Sequence, residues 1–189
     1  MNFIKDKFLL NKESRYNAAN VVTYTNITFG LIGLYNIAIG NIIVAVILAW
    51  IAGVLDIADG KVARKYNLSS EVGIQLDSYA DFISFVILPS YLLFYTLFRE
   101  ADSIYFYLGS AALLFYIING LQRLVIFNIK SYVGNVDKYF VGLPTPLGAI
   151  FLFILFCLNS LDLLPEIINI TIILGVALLL NSNIKVRHP

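Results

Sequence analysis

The feature that most constrains the fold of this chain is its series of long apolar stretches. Of its 189 residues, 59% are hydrophobic and 13% are charged, whereas a soluble domain carries about 25% charged residues. A membrane-spanning helix needs about 20 mostly apolar residues, and six stretches approach that length. They cover residues 21–39, 41–63, 77–98, 105–124, 141–158 and 167–180. We therefore predict an all-α, polytopic membrane protein with six transmembrane helices.

Little of the chain lies outside these stretches. We therefore expect one membrane domain over residues 1–189, with the six-helix bundle at residues 21–181. The segment 1–18 combines a few apolar side chains with four basic ones: Lys5, Lys7, Lys12 and Arg15. This pattern is typical of an amphipathic helix that lies on the membrane surface. The alternative for this segment is a disordered basic tail.

The distribution of Lys and Arg predicts the orientation. Of the 13 basic residues, four precede the first stretch, three lie at or after the end of the second, three lie at or after the end of the fourth and two follow the sixth. The remaining one, Arg99, lies on the opposite side. Because cytoplasmic loops carry the excess of Lys and Arg, we predict that both termini are cytoplasmic. The net charge of +1 provides no general attraction to nucleic acid, so we expect no nucleic-acid partner.

Four aspartates lie around the polar connection between the second and third stretches. Asp56 and Asp59 are three residues apart, and Asp77 and Asp81 are four apart, so each pair shares one face of a helix. At a rise of about 1.5 Å per residue, both pairs reach the cytoplasmic edge of the membrane, where a lipid phosphate lies. Acidic groups at membrane depth are costly and usually functional. The sequence thus predicts an active site at the cytoplasmic face of the cell membrane.

The same aspartates predict a metal site. Four uncompensated carboxylates would repel one another, and a set of oxygen ligands suits Mg²⁺, Mn²⁺ or Ca²⁺. Four carboxylates are enough for two ions.

The residues beside the aspartates fit a phosphate-bearing substrate. Gly60 and Ala63 flank the first pair, and Gly73 precedes Asp77 by one turn. These residues remove bulk and let a ligand approach the backbone. Arg64 supplies a forked donor that matches a pair of phosphate oxygens. Together they predict a nucleotide diphosphate that is held through metal.

The spacing from Asp56 to Asp81, D-x2-D-G-x2-A-R-x8-G-x3-D-x3-D, resembles the signature of the CDP-alcohol phosphotransferase family, membrane enzymes of phospholipid synthesis. The resemblance implies that a phosphatidyl group passes by direct displacement from a CDP-linked lipid, CDP-diacylglycerol or an ether-lipid analogue, to a small alcohol, with release of CMP. It also implies that the four aspartates hold two Mg²⁺ or Mn²⁺ ions and that Asp81 is the general base. Gly60, Ala63 and Arg64 would line the CDP site, and the enzyme would be a homodimer.

Other segments resemble the phosphatidylserine synthase branch of this family, which predicts L-serine as the acceptor. The matching segments are Thr25-Asn26 with Gly30, Arg123 to Asn128, Gly142 to Pro146, and Asn181 to Pro189.

Each residue assigned from this branch also has a simpler interpretation. Arg123, Asn128 and Lys130 lie at or after the end of the fourth stretch and could hold the serine carboxylate. Alternatively, Arg123 and Lys130 are topological anchors and Asn128 is a helix cap. Asn26 is expected in the CDP-lipid site with Gly73; otherwise it forms an interhelical hydrogen bond.

Two other functions compete with serine transfer. An inositol phosphate or glycerol phosphate acceptor would need several basic residues, and the loop after the fourth stretch has few. A cation transporter would need carboxylates near the bilayer midplane, whereas these lie at one edge.

Overall fold

The computed structural model describes residues 9–11, 14, 16–132, 139–182 and 185–187, and for residues 130–132, 139–141 and 185–187 it describes the backbone alone. The helices are α1 (Ala18–Ala38), α2 (Ile42–Tyr66), α3 (Glu71–Asp81), α4 (Leu88–Leu93), α5 (Ser103–Tyr132), α6 (Thr145–Asn159) and α7 (Glu166–Leu180), with π-helical turns at Phe82–Ile87 and Phe94–Phe98. Two short strands, β1 (Tyr139–Val141) and β2 (Lys185–Arg187), pair antiparallel. The predicted helical class is confirmed, and the strand pair is an addition to it.

Within the described residues, four helical runs are long and apolar enough to cross a membrane. They are Ala18–Ala38, Ile42–Tyr66, Glu71–Phe98 and Ser103–Ile129. Helices α6 and α7 have 15 residues each, which is about 22 Å at the usual rise, against a hydrocarbon core of about 30 Å. The long helices are those of an integral membrane protein. The count of six spans and the cytoplasmic termini remain predictions.

The chain divides into two compact units, Met1–Ser84 and Phe85–Pro189. The predicted surface helix belongs to the first unit, but most of segment 1–18 lies outside the described residues. Helix α2 buries Ala45, Ala49 and Ala52, which recur at the spacing of one helix face. Such small residues allow membrane helices to approach closely. On α1, a Cβ atom at Gly30 would lie 2.8 Å from Cγ2 of Ile83, so this glycine serves packing within the first unit.

The third helix begins six residues before the predicted position. It starts at Glu71 rather than Asp77, because the Ser70 hydroxyl accepts a hydrogen bond of 3.1 Å from the backbone N–H of Gly73 and so caps the first turn. Helix α2 ends at Tyr66, where Asn67 adopts a left-handed conformation with φ 53°. The connection therefore has only four residues, and Asp77 lies about 9 Å inside α3.

In the second unit, a buried tyrosine compensates for a proline within a helix. Pro89 has no N–H to donate to the carbonyl of Phe85, four residues earlier. The hydroxyl of Tyr116 on α5, whose side chain is fully buried, donates to that carbonyl at 3.2 Å. The carbonyl therefore has a donor without water.

Helices α6 and α7 are joined by a reciprocal pair of amides. Nδ2 of Asn159 donates to Oδ1 of Asn169 at 2.8 Å, and Nδ2 of Asn169 donates to Oδ1 of Asn159 at 2.7 Å. Nδ2 of Asn159 also donates to the backbone carbonyl of Leu155. Each side chain thus donates to and accepts from the other, and we name Asn159 and Asn169 the amide pair.

Candidate functional site

The four predicted aspartates converge in the first unit, and we name Asp56, Asp59, Asp77 and Asp81 the acidic site. Carboxylate oxygens of Asp56, Asp59 and Asp77 lie within 4.8 Å of one another. The carboxyl groups of Asp56 and Asp81 are close neighbours. The short connection between α2 and α3 brings the two pairs together.

The acidic site has more acceptors than donors. Oδ1 of Asp56 and Oδ1 of Asp81 are buried without a hydrogen-bond partner. Among the described residues, no basic side chain forms an ion pair with the site. Buried charges are normally paired or bind a metal, and carboxylate oxygens are the ligands that Mg²⁺, Mn²⁺ and Ca²⁺ prefer. The residues of this site therefore fit a divalent metal ion.

A cavity of about 120 Å³ opens beside the acidic site. Its walls come from α1, α2, α3 and the connection between the last two: Ala19, Asn20, Thr23, Asp59, Gly60, Ala63, Leu68, Ser69, Ser70, Gly73, Ile74 and Asp77. Three of the residues predicted for the CDP-lipid site, Gly60, Ala63 and Gly73, lie on this cavity. Small side chains and hydroxyls thus surround the space next to two of the carboxylates.

Arg64 lies one helical turn beyond Gly60 and is exposed. A Cβ atom at Gly60 would stand 3.8 Å from Nη1 of Arg64, which is ordinary contact. The guanidinium therefore passes over the glycine and can reach a ligand beside the cavity.

Gly73 has a packing role in addition to the one predicted. A Cβ atom at this position would lie 3.0 Å from Oδ1 of Asn20 and 3.3 Å from Oγ of Ser70. The first turn of α3 therefore lies against α1 at a distance that favours glycine. The same contact holds the wall of the cavity in place.

Asn26 is fully buried, and it does not line the cavity. Its Oδ1 accepts a hydrogen bond of 2.9 Å from the hydroxyl of Ser84. Asn26 therefore forms the interhelical hydrogen bond that was the alternative to substrate contact. Its Nδ2 remains as a donor without a partner among the described residues.

The predicted acceptor residues belong to the second unit. Arg123 on α5 is buried, its guanidinium lies 5.9 Å from the ring centre of Phe127, and its Nε has no partner among the described residues. Asn128 is half-buried on the same helix, and Lys130 lies in the part of α5 where only the backbone is described. A buried Arg with an open donor is a group that can bind an anion.

The sequence analysis did not identify Thr23, which lies on the cavity and contacts the acidic site. Its hydroxyl donates to Oδ2 of Asp59 at 2.7 Å. Polar residues recur along the buried face of α1, at Asn20, Thr23 and Asn26. That spacing of three within an apolar helix is the signal that points to this face.

The comparisons with known proteins agree with the geometry. The family model described as CDP-alcohol phosphatidyltransferase matches residues 16–181. A Bacillus subtilis protein named CDP-diacylglycerol–serine O-phosphatidyltransferase is 33% identical over 89% of this chain and 88% of its own length. Proteins of the same name match at 30% identity in Helicobacter pylori, over 92% of this chain and 72% of the relative, and at 31% in Methanocaldococcus jannaschii, over 88% and 72%.

The family and the branch predicted from the aspartate spacing and the shorter segments are both confirmed by these matches. The match spans both compact units, including all four residues of the acidic site. The chain is therefore a transferase of phospholipid synthesis and belongs to the CDP-alcohol phosphatidyltransferase family.

Proposed function

We propose that this protein transfers the phosphatidyl group of a CDP-linked lipid to the hydroxyl of L-serine, giving phosphatidylserine and CMP. The observation that carries the proposal is the acidic site, with two buried carboxylate oxygens that lack partners, in a chain of this family. The names of the relatives support serine as the acceptor and CDP-diacylglycerol as the donor. A donor with ether-linked chains would fit the same site.

The acidic site would hold two divalent ions, Mg²⁺ or Mn²⁺, through its four carboxylates. Bound there, the ions would neutralise the diphosphate and stabilise the CMP leaving group. Gly60, Ala63 and Gly73 leave room for the nucleotide in the cavity. The forked donor of Arg64 fits a phosphate oxygen pair, and Nδ2 of Asn26, which has no partner among the described residues, would supply a further donor.

Asp81 is the proposed general base. It takes the proton of the serine hydroxyl as the serine oxygen bonds to the β-phosphorus and the bond from that phosphorus to the CMP oxygen breaks. This single displacement inverts the configuration at phosphorus. A chiral-phosphorus substrate tests it, because retention of configuration would require a covalent intermediate.

Arg123 is the proposed anchor of the serine carboxylate. Its guanidinium is buried and retains an open donor, and an Arg–carboxylate pair is among the strong charge-assisted interactions. Asn128 and Lys130 follow on the same helix and would contribute further donors to the acceptor.

The proposed topology has six spans in one domain, both termini in the cytoplasm and the acidic site at the cytoplasmic face of the cell membrane. The asymmetry of Lys and Arg supports this orientation. A homodimer is the proposed assembly.

The test is release of CMP from CDP-diacylglycerol by the purified protein in detergent with Mg²⁺ or Mn²⁺, with L-serine, myo-inositol phosphate or glycerol 3-phosphate as the acceptor. We expect turnover with serine alone. Turnover with a phosphorylated alcohol would keep the acidic site and overturn the acceptor. The absence of CMP from every pairing would overturn the transferase proposal.

A further inference from the structure

The contact between Thr23 and Asp59 joins α1 to the acidic site. Both side chains are 4% exposed, and the hydroxyl of Thr23 lies 2.7 Å from Oδ2 of Asp59. A hydrogen bond from a hydroxyl to a carboxylate at this distance is short and charge-assisted. It holds the carboxylate in one orientation.

Thr23 does not need this contact to satisfy its own hydroxyl. The hydroxyls of Thr25 and Thr28 on the same helix each donate at 2.8 Å to the carbonyl four residues earlier, which is the usual solution for threonine in a helix. Thr23 has the same option, because the carbonyl oxygen of Ala19 is 3.1 Å away. A hydroxyl has one proton, and the closer acceptor is the carboxylate.

The hydrogen bond from Thr23 contacts Oδ2 of the Asp59 carboxylate. A carboxylate has about four lone-pair sites on its two oxygens, so Asp59 keeps acceptor capacity for a metal ion while Oδ2 accepts from Thr23. Carboxylates that bind metals are commonly held in this way by a neighbouring donor, and loss of that donor typically lowers metal affinity or activity about 10–100-fold.

We infer that Thr23 is a positioning residue that orients Asp59 for the divalent ion, so that α1 takes part in metal binding without contributing a ligand. The inference rests on the proposed function, because it assumes that the acidic site binds metal. It predicts that metal affinity depends on the Thr23 hydroxyl and not on the bulk of the side chain.

The experiment is a titration of the full-length protein in detergent with Mn²⁺ alone, with free Mn²⁺ measured by electron paramagnetic resonance. Thr23→Val removes the hydroxyl and keeps the shape, and Thr23→Ser keeps the hydroxyl. Thr28→Val is the matched control, since it removes an exposed hydroxyl from the same helix. We expect the Mn²⁺ dissociation constant to rise about 10-fold or more in Thr23→Val. It should stay within about twofold in Thr23→Ser and in Thr28→Val, because both variants keep the hydroxyl that donates to Asp59.

CMP release gives an independent measurement. In Thr23→Val we expect the Mn²⁺ concentration for half-maximal rate to rise in parallel, and excess Mn²⁺ to recover most of the rate. Should Thr23→Val not fold, Thr23→Ala replaces it in the same titration. Unchanged Mn²⁺ affinity in the variant without a hydroxyl would overturn the inference, even with a lower melting temperature, and so would equal weakening in Thr23→Ser. A wild-type protein that neither binds Mn²⁺ nor releases CMP would instead overturn the proposed function.

Discussion

The acidic site of the first unit and the amide pair of the second unit are both polar clusters within apolar helices, yet their hydrogen bonding differs. In the amide pair, Asn159 and Asn169 each donate to and accept from the other. In the acidic site, ionised carboxylates can only accept, and Oδ1 of both Asp56 and Asp81 lack a donor. We call a polar cluster closed when its groups satisfy one another, and such a cluster stabilises the fold. We call it open when buried groups lack partners, and such a cluster needs a ligand from outside the chain.

This difference predicts opposite consequences for substitution. A change in the closed pair should cost stability and leave the chemistry of the folded protein intact. A change in the open site should abolish chemistry at little cost to the metal-free fold, because it removes one of several like charges. The following variants test that contrast.

The largest effect is expected from Asp81→Asn. It removes both the proposed base and a carboxylate of the proposed metal site, so we expect CMP release to fall by about 10³-fold, within the range for loss of a general base. The melting temperature without metal should be equal or higher, and stabilisation by Mn²⁺, about 2.7 kcal/mol at 100 times the dissociation constant, should shrink. Calorimetry with and without Mn²⁺ measures both.

The control for this variant is Asp162→Asn. Asp162 is exposed in the α6–α7 connection with φ 52°, a conformation that asparagine also tolerates. It should retain wild-type rate and metal response. A comparable loss of rate in Asp162→Asn would mean that the effect is not specific to the acidic site.

The next largest effect is expected from Arg123→Lys. It tests whether the buried guanidinium of Arg123 binds a ligand or only packs within the fold. The substitution keeps the charge and removes the fork that matches a carboxylate, so we expect the KM for serine to rise about 10-fold, or about 1.4 kcal/mol, with kcat little changed. Arg99→Lys is the matched control, because Arg99 also lies over a ring, that of Tyr95 at 4.7 Å, but is exposed. An unchanged KM in Arg123→Lys would make Arg123 a structural residue.

The closed cluster is tested with Asn169→Leu. It leaves Oδ1 of Asn159 without its donor from Asn169, and hydrogen bonds between membrane helices are worth about 0.6–2 kcal/mol. We expect the free energy of unfolding to fall by that amount, with unchanged CMP release per folded molecule. The double variant Asn159→Leu with Asn169→Leu should recover part of the loss in a double-mutant cycle. Additive losses would show that the pair is not coupled.

The smallest effect is expected from Gly60→Ala. The new Cβ would meet nothing closer than 3.8 Å, and alanine is favoured over glycine inside a helix by about 0.8–1 kcal/mol. Stability should rise by up to that amount, while the KM for CDP-diacylglycerol rises a few-fold because the methyl group enters the cavity. If both quantities stay at wild-type values, the nucleotide does not lie against Gly60.

The features that the sequence predicted are local ones. The faces of Asp56 with Asp59 and of Asp77 with Asp81 follow from spacing on a single helix, and the motif around them identified the family. The predicted start of α3 at Asp77 was wrong, because the cap at Ser70, followed by Glu71 in the first turn, outweighs the polar character of that turn. This signal was present in the sequence.

The features that were missed depend on packing between distant segments. The bond from Thr23 to Asp59 spans 36 residues, and β1 pairs with β2 across α6 and α7. Apolar periodicity does not encode which helices become neighbours, and it does not distinguish α-helical from π-helical turns such as Phe82–Ile87. The count of six spans stays a prediction, because α6 and α7 are shorter than the hydrocarbon core is thick.

The location of the acidic site within Met1–Ser84 has a consequence for biosynthesis. Every carboxylate of the site, together with Thr23, is added to the chain before Phe85, and N-terminal units generally fold first during synthesis. The residues proposed for the acceptor, from Arg123 onward, are added later. The order of translation thus completes the sequence of the acidic site before that of the segment proposed to select the alcohol.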